Sequence, residues 1–269
     1  MSLTVEAASR NLQEASVRYL RHRLGRPLEE RATREVEDIF IRQARYFLDG
    51  FAQLQGHFSE GLADEWDPIW QRASGATYAY FVSQMESIAA RGLTAGAKSA
   101  AATMDVSVAF DLAHPAAVSY MASHAAEAVT GIDETTRAYL NTLLTRGIDE
   151  GWSYDTTARA IIDRFAQFSI GNALQHIQSR AHLIAVTENA NAYIQGAKAI
   201  ATEVLSGLPD GLGMNKAWIT AGDGAVCEDC AAGEDDGVIA ESESFSNGDD
   251  EPPDHPGCRC DVAYTVGNA

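Results

Sequence analysis

The placement of the cysteines constrains this chain more than any other feature of its sequence. All four lie in the last 43 residues, in the order C-x2-C, 24 residues, then H-x2-C-x-C. A C-x2-C turn directs two thiolates at one ion, and a second cluster completes a tetrahedron, as structural zinc requires. The pattern therefore predicts a structural zinc site formed by Cys227, Cys230, Cys258 and either His255 or Cys260.

Two other interpretations of the cysteines stay open, namely two disulfides or free thiols with redox chemistry. The N-terminus carries no apolar secretion signal, which argues against disulfides. Redox catalysis of the thioredoxin kind needs a C-x2-C that opens a helix, whereas we expect Glu228 and Asp229 in an acidic loop. Calcium is disfavoured because Asp235-Asp236-Gly237 lacks the ligand spacing of a calcium loop.

Most of the excess negative charge of the chain lies in one segment. The sequence holds 38 acidic and 20 basic residues, for a net charge of −18, and 12 of the acids lie between Lys216 and Arg259 with no base among them. We expect this stretch to be a solvated face that suits a basic partner. No basic stripe is visible, so nucleic acid is an improbable main partner. No apolar run approaches the ~20 residues of a membrane span, so we expect no membrane partner and a cytoplasmic site of synthesis.

The spacing of apolar residues predicts a mainly α fold. Helical periodicity runs from about residue 3 to about residue 205, and a Gly- and Pro-rich link at 206–213 follows it. We predict long helical N-terminal and middle regions, followed by a small Cys-rich, metal-stapled α+β C-terminal module. The predicted domains are 1–105, 106–206 and 207–269. The long apolar seams suit a packed core and also association with further subunits, a homo-oligomer included.

Local signals predict where several helices begin and end. A helix is predicted to stop at Gly25-Arg26-Pro27, and another to start after Pro68. Asp133 is predicted to cap the N-terminus of a helix. Gly151 is predicted to close that helix, and Ser153 to cap the one that follows.

A further helix, predicted over about 172–205, has a face of small residues that is interrupted by Glu188. A carboxylate removed from water needs a partner or a proton, because unpaired burial costs several kcal/mol. One interpretation is a half-buried face on which Glu188 pairs with an arginine. A specific structural or binding role is the second. General acid–base catalysis is the third, although no nucleophile or second carboxylate is visibly paired with it.

From about residue 106 to 266 the chain resembles the phage head morphogenesis family, the Mu F-like minor head proteins. Four pieces carry the resemblance in the family's order: FDLAHPAAVSYMASHAAEAVTGIDETT, the G-x3-G-x-S ending at Ser153, IAVTENANAYIQG, and KAWITAGDGAVCEDCAAGEDDG with PPDHPGCRC. Thr187, Glu188 and Trp218 fall on motif positions, which implies structural or interaction roles. Val186 departs from the family, which often has Arg before Thr-Glu.

The resemblance implies a virion protein of a tailed phage or a related archaeal virus. Such proteins join the procapsid in small numbers, with the portal protein and the major capsid protein as partners, and aid head assembly or genome delivery. The implied location is the virion head near the portal, after assembly in the host cytoplasm. The family implies a structural protein and no enzyme, and we assign no catalytic residue.

Two alternatives belong to other functional classes. The first is a virion-delivered hydrolase or transferase that uses Glu188 and the Cys-rich metal site, which requires an open metal position that bears water. The second is a DNA-binding module near the portal, which requires binding that weakens with salt.

Overall fold

The structure, a computed structural model, describes residues 5–55, 58–108, 110–169 and 179–268 and is predominantly helical. The helices are α1 (Val5–Leu20), α2 (Arg26–Phe51), α3 (Phe58–Thr103), α4 (Pro115–Asp149), α5 (Tyr154–Ser169), α6 (Arg180–Ser206) and α7 (Glu228–Asp235), with a π-helical turn at Arg21–Gly25 and a 3-10 turn at Ala52–Leu54. The strands are β1 (Leu212–Ile219), β2 (Val238–Ala240) and β3 (Asp261–Asn268). The predicted fold class, mainly α with a small C-terminal α+β module, is confirmed.

Helices persist through two prolines at which the sequence predicted an end or a start. The predicted stop at Gly25-Arg26-Pro27 is wrong, because the π-helical turn joins α1 to α2 and Pro27 falls in the first turn of α2, where a missing N–H costs little. The start predicted after Pro68 is also wrong, since α3 begins at Phe58. Trp66 and Trp70 are buried on either side of Pro68, and that burial outweighs the ~3 kcal/mol cost of an interior proline.

The predicted break at Asp133 is wrong, whereas the end of the same helix is as predicted. Asp133 lies inside α4, which is continuous from Pro115 to Asp149. Its carboxylate accepts hydrogen bonds from the side chains of Gln43 and Ser74 instead of capping a helix. Gly151 has φ +65° and follows the last turn of α4. Ser153 Oγ accepts the N–H of Thr156, as an N-cap does. The start predicted near residue 172 lies outside the described residues.

The chain folds as two compact units, which we call the α/β unit and the helical unit. The α/β unit comprises Met1–Ala32, Ser87–Met121 and Leu183–Ala269, and the helical unit comprises Thr33–Glu86 and Ala122–His182. Each unit is therefore assembled from segments that are far apart in sequence. The linear division into 1–105, 106–206 and 207–269 stays a prediction.

The α/β unit is built around a close crossing of α3 and α6. A β-carbon at Gly96 would collide with the backbone carbonyl of Tyr193, and one at Gly196 with that of Leu93. At Gly92 it would lie 2.6 Å from the Ala192 side chain. Only glycine allows the two backbones to approach this closely, as in other crossings of small residues.

The three-stranded antiparallel sheet of the α/β unit has the order β2-β1-β3. β1 pairs with β3 over its whole length, from Leu212 opposite Asn268 to Ile219 opposite Asp261. One face of the sheet packs through Met214, Val262 and Tyr264 into the core that contains Ile200 of α6. The side chains on the opposite face pack against Val17 of α1.

Polar contacts also fasten α1 to the C-terminal part of the same unit. Arg18 donates to the carbonyl of Thr220 at 3.2 Å and forms an ion pair with Glu234 at 2.8 Å. Gln13 donates to the carbonyl of Tyr264 at 3.4 Å. These contacts join residues separated by more than 200 positions.

The helical unit has an aromatic core. The Phe40 and Phe168 ring centroids are 5.0 Å apart, and Phe165 meets Phe168 edge-on at 5.4 Å. Phe47 packs edge-on against Trp70 at 6.2 Å. Such tilted and edge-on pairs are the arrangements that aromatic quadrupoles favour.

A buried arginine lies in the helical unit beside these rings. The Arg180 guanidinium stacks over Phe40, Tyr139 and Phe168 at centroid distances of 4.9, 5.4 and 4.7 Å. It donates to Thr136 Oγ1 and to the Ile132 carbonyl. Burial lowers the pKa of Arg180 to about 10, so the side chain stays charged at neutral pH.

No helix in the described ranges is both long enough and apolar enough to cross a lipid bilayer.

Candidate metal centre

The first cysteine pair is positioned by the short helix α7. Cys227 has extended backbone angles and caps this helix, because its sulfur accepts the N–H of Cys230 at 3.3 Å. Glu228 and Asp229 form the first turn of α7. The expectation that they lie in an acidic loop is therefore wrong, since the C-x2-C does open a helix. A helix N-terminus favours thiolate over thiol, which suits a metal ligand as well as a redox pair.

The second cluster lies in the loop between β2 and β3. Cys258 donates its N–H to the carbonyl of His255 at 3.0 Å, and Gly257, between them, adopts φ +82°. This turn fixes the backbone between His255 and Cys258. Cys260 directly precedes β3. Cys258 and Cys260 are almost fully buried, like Cys230, whereas Cys227 and His255 are half-buried.

All five predicted donors come together in two overlapping groups that share Cys230. One group contains Cys227, Cys230, Asp254 and His255, and the other contains Cys230, Cys258 and Cys260. Within each group, one donor atom from every residue lies within 4.8 Å of all the others. Asp254 is the member that the sequence analysis missed, although it directly precedes His255 in the motif.

Two distances from the Cys230 sulfur agree with the edges of a zinc tetrahedron. Cys230 Sγ lies 3.6 Å from Cys258 Sγ and 3.9 Å from His255 Nε2. Zinc–sulfur bonds of about 2.3 Å in a tetrahedron give sulfur–sulfur edges of about 3.8 Å. The four cysteines are free thiols in the structure, and 3.6 Å far exceeds the ~2.05 Å of a disulfide bond.

Hydrogen bonds among the sulfur atoms favour the thiolate form of Cys258. Hydrogen bonds from the Cys230 and Cys260 thiols lower the pKa of Cys258 to about 2. The pKa of Cys230 is raised, chiefly because its thiol donates to Cys258. A thiolate that accepts hydrogen bonds from neighbouring thiols is a good ligand for a soft cation. When the cation binds, it displaces the protons of those thiols.

The orientation of His255 also suits a metal ligand. Its Nδ1 lies 3.0 Å from the carbonyl of Pro256. Because a carbonyl oxygen only accepts hydrogen bonds, Nδ1 carries the proton. The unprotonated Nε2, on the Cys230 side, is then the nitrogen that can bind a metal ion. Ligating histidines usually have such a partner for their second ring nitrogen.

Trp218 supports the cluster from β1. The side chain is almost fully buried in one apolar cluster with Cys230, Cys258 and Cys260. It meets Phe245 edge-on at 5.3 Å. Gly233 of α7 lies against the indole, where an added β-carbon would be 3.0 Å from the ring. The tryptophan of the family motif is thus a packing residue for the cysteine cluster.

Thr187 and Glu188, the two polar residues predicted on α6, have different surroundings. Thr187 Oγ1 accepts the N–H of Gly257 at 2.9 Å, which connects α6 to the loop that carries His255 and Cys258. Glu188 is half-buried and lies outside both donor groups. Burial, followed by the charge of Glu188, raises the pKa of Tyr120. Val186, the departure from the family motif, is fully buried.

Sequence analysis missed two lysines that hold the acidic segment. Lys198 forms an ion pair with Glu251 at 3.0 Å. Lys216 is buried on β1 and donates to the carbonyl of Asp250 at 2.7 Å. The scarcity of lysine was an available signal, because the chain has only three, Lys98, Lys198 and Lys216. The acidic segment is therefore partly internal and not wholly a solvated face.

Fold and site together define a largely helical protein whose C-terminal module gathers thiol and imidazole donors around one cysteine. Residues 138–263 match the family described as Phage Mu protein F like protein. This part of the chain is therefore similar to the Mu F-like phage head morphogenesis family, in agreement with the resemblance. The match begins after the FDLAHP segment and includes every predicted site residue. No curated protein and no solved structure matches the chain.

Proposed function

We propose that this protein is a minor head protein of a tailed virus, which joins the procapsid in small numbers and contacts the portal protein and the major capsid protein. The observation that carries the proposal is the match of residues 138–263 to the Mu F-like family, which ends on the Cys/His cluster. The family is one of structural head proteins, in agreement with a role in assembly and not in catalysis. We place the protein in the virion head near the portal, after assembly in the host cytoplasm.

The second part of the proposal is a structural zinc ion held by Cys227, Cys230, His255 and Cys258. Cys230 belongs to both donor groups, and the His255 ring interacts with Cys227 and Cys258 as well as with Cys230. Cys260 is then the supporting thiol, on the side of Trp218. The ion would supply cross-linking energy to a small acidic module, as structural zinc does.

The assembly role is tested with purified particles of the parent virus. Quantitative mass spectrometry of intact heads and of emptied heads should find a few copies per particle. Co-expression with the portal protein of the same virus should yield a complex that co-sediments, whereas the major capsid protein alone should bind more weakly. Absence from mature particles together with no association with the portal protein would refute the proposal.

The zinc site is tested on the protein alone. Elemental analysis should find about one zinc per chain, the stoichiometry of a closed structural site. X-ray absorption should show three sulfur ligands and one nitrogen ligand. A bound water in place of one protein ligand would contradict a structural site and favour the enzymatic alternative.

A further inference from the structure

We infer that α6 positions the metal ligands of the loop at residues 249–258, which we call the metal loop, and that Thr187 is the positioning residue for His255 and Cys258. The inference rests on the zinc site of the proposed function. It assigns to the Thr-Glu motif of α6 a task at the cysteine cluster, although the two are about 70 positions apart in the chain.

The Thr187 hydroxyl donates one hydrogen bond and accepts another, each with a different part of the chain. It donates to the Leu183 carbonyl at 2.7 Å, and it accepts the N–H of Gly257 at 2.9 Å. Gly257 directly precedes Cys258, whose own N–H bonds to the His255 carbonyl. One hydroxyl group therefore fixes the turn between two proposed ligands.

A second anchor on the same helix holds the other end of the metal loop. Lys198 follows Thr187 by eleven residues, or about three helical turns, and so projects from the same face. Its ammonium group pairs with Glu251, which also accepts the Tyr264 hydroxyl at 2.8 Å. The metal loop is thus fastened along one face of α6 at both of its ends.

This arrangement exceeds what a helical threonine ordinarily does. A threonine within a helix commonly donates to the carbonyl four residues earlier, with no further consequence. Thr130 on α4 does so at 2.9 Å, and that bond is exposed. Thr187 makes the same bond and in addition accepts a backbone N–H of the metal loop, that of Gly257, about 70 positions away.

The expected consequence is slower loss of the metal. When the turn is fixed, His255 and Cys258 stay near Cys230 after one bond to the ion breaks, so the bond re-forms before the ion leaves. Groups that hold metal ligands in place typically change metal affinity about 10–100-fold when they are removed.

The test uses the full chain loaded with one equivalent of Zn2+ and the variant Thr187→Val, which keeps the shape of the side chain and removes the hydroxyl. Transfer of zinc to a chromophoric chelator should be about tenfold faster than in the wild type. The visible spectrum of the Co2+-loaded variant should also lose part of its tetrahedral intensity, a change that lower stability alone would not cause.

Two control variants separate positioning from general damage. Thr187→Ser keeps the hydroxyl and should release zinc at nearly the wild-type rate, and Thr130→Val makes the same chemical change on α4 and should do likewise. An unchanged rate in Thr187→Val, or equally fast release from Thr187→Ser, would overturn the inference.

Two further outcomes are also decisive. If Thr187→Val does not fold, Lys198→Met replaces it, and wild-type release from that variant together with an unchanged Co2+ spectrum overturns the inference. If the wild type binds no zinc, the zinc site of the proposed function fails, and that failure is distinct from normal release by a loaded variant.

Discussion

The two units of this protein bring helices together in opposite ways. In the α/β unit, α3 and α6 touch backbone to backbone through Gly96 and Gly196. In the helical unit, large rings such as Phe40, Trp70 and Phe168 fill the space between helices. Close packing is thus achieved in one unit by removing side-chain volume and in the other by supplying it.

The units also differ in how they satisfy buried polar groups. In the helical unit, Arg180 has aromatic rings and oxygen acceptors around it, and Asp133 accepts from Gln43 at 2.6 Å. In the α/β unit, the buried thiols of Cys230, Cys258 and Cys260 mainly face one another. The first arrangement pairs its charged groups with protein partners, whereas in the second a cation could replace the protons that the thiols share.

The largest effect is expected from Cys230→Ser, because Cys230 belongs to both donor groups. Zinc content should fall from about one to below about 0.1 per chain, with loss of binding free energy on the order of 10 kcal/mol. Hydrogen exchange should accelerate over residues 212–268, while the helical unit keeps its slow amides. Wild-type protein stripped with a chelator should behave in the same way, and equal acceleration in both units would contradict the contrast.

The next effect concerns the crossing of α3 and α6. Gly96→Ala should lower the free energy of unfolding of the α/β unit by about 3 kcal/mol, because the new methyl group meets the Tyr193 carbonyl. Gly75→Ala is the matched control on α3, since an added β-carbon there meets nothing within 4 Å. It should stabilise the protein by up to about 1 kcal/mol. Urea denaturation measures both, and the same sign for the two variants would refute the proposed close crossing.

A moderate effect is expected for the buried arginine of the helical unit. Arg180→Met should cost about 2 kcal/mol, because it removes two hydrogen bonds and leaves Asp133 without a nearby cation. Arg42→Met is the control, since Arg42 also stacks on a ring, that of Tyr80 at 4.3 Å, but is exposed. It should leave the stability almost unchanged, because exposed ion pairs contribute little. Thermal unfolding measures both variants. Equal losses of stability in Arg180→Met and Arg42→Met would show that burial of the arginine makes no difference.

The smallest effect is a dependence on pH. Burial raises the pKa of Asp133, so the folded protein holds this proton more tightly than the unfolded chain does. The resulting stability is present below about pH 4, the unfolded pKa, and is lost as pH rises through the folded pKa. The side chain of Asp133→Asn does not ionise, so its contribution to stability does not change with pH. The variant should therefore gain stability relative to the wild type as pH rises from 4 to 7.

Urea denaturation of both proteins at four pH values in this range measures that difference. A constant difference between the two would show that Asp133 ionises no differently in the folded state.

Short-range signals predicted the structure well where nothing distant opposed them. Gly151 and Ser153 end and begin helices as expected, because a positive φ and a capping hydroxyl act within a few residues. The cysteine pattern likewise brought its members together, since the C-x2-C turn is local and only one other cluster was available.

The same signals failed where tertiary contacts were worth more. A cap such as Asp133 contributes about 1 kcal/mol, which is less than its buried hydrogen bonds to Gln43 and Ser74 together provide. The burial of Trp66 and Trp70 likewise outweighed the proline between them. Asp254 and Lys198 were missed because their roles depend on which loop meets which helix, and periodicity along one segment carries no such information.

The contacts between α1 and the C-terminal strands impose an order on biosynthesis. Arg18 meets Glu234, and Gln13 meets Tyr264, more than 200 positions later. The helical unit can fold while translation continues, because its segments end at His182. The first helix of the α/β unit can meet these partners only after more than 200 further residues have been translated. That unit is therefore completed only after Tyr264 has been translated, by which point all four residues of the cysteine cluster have also been made.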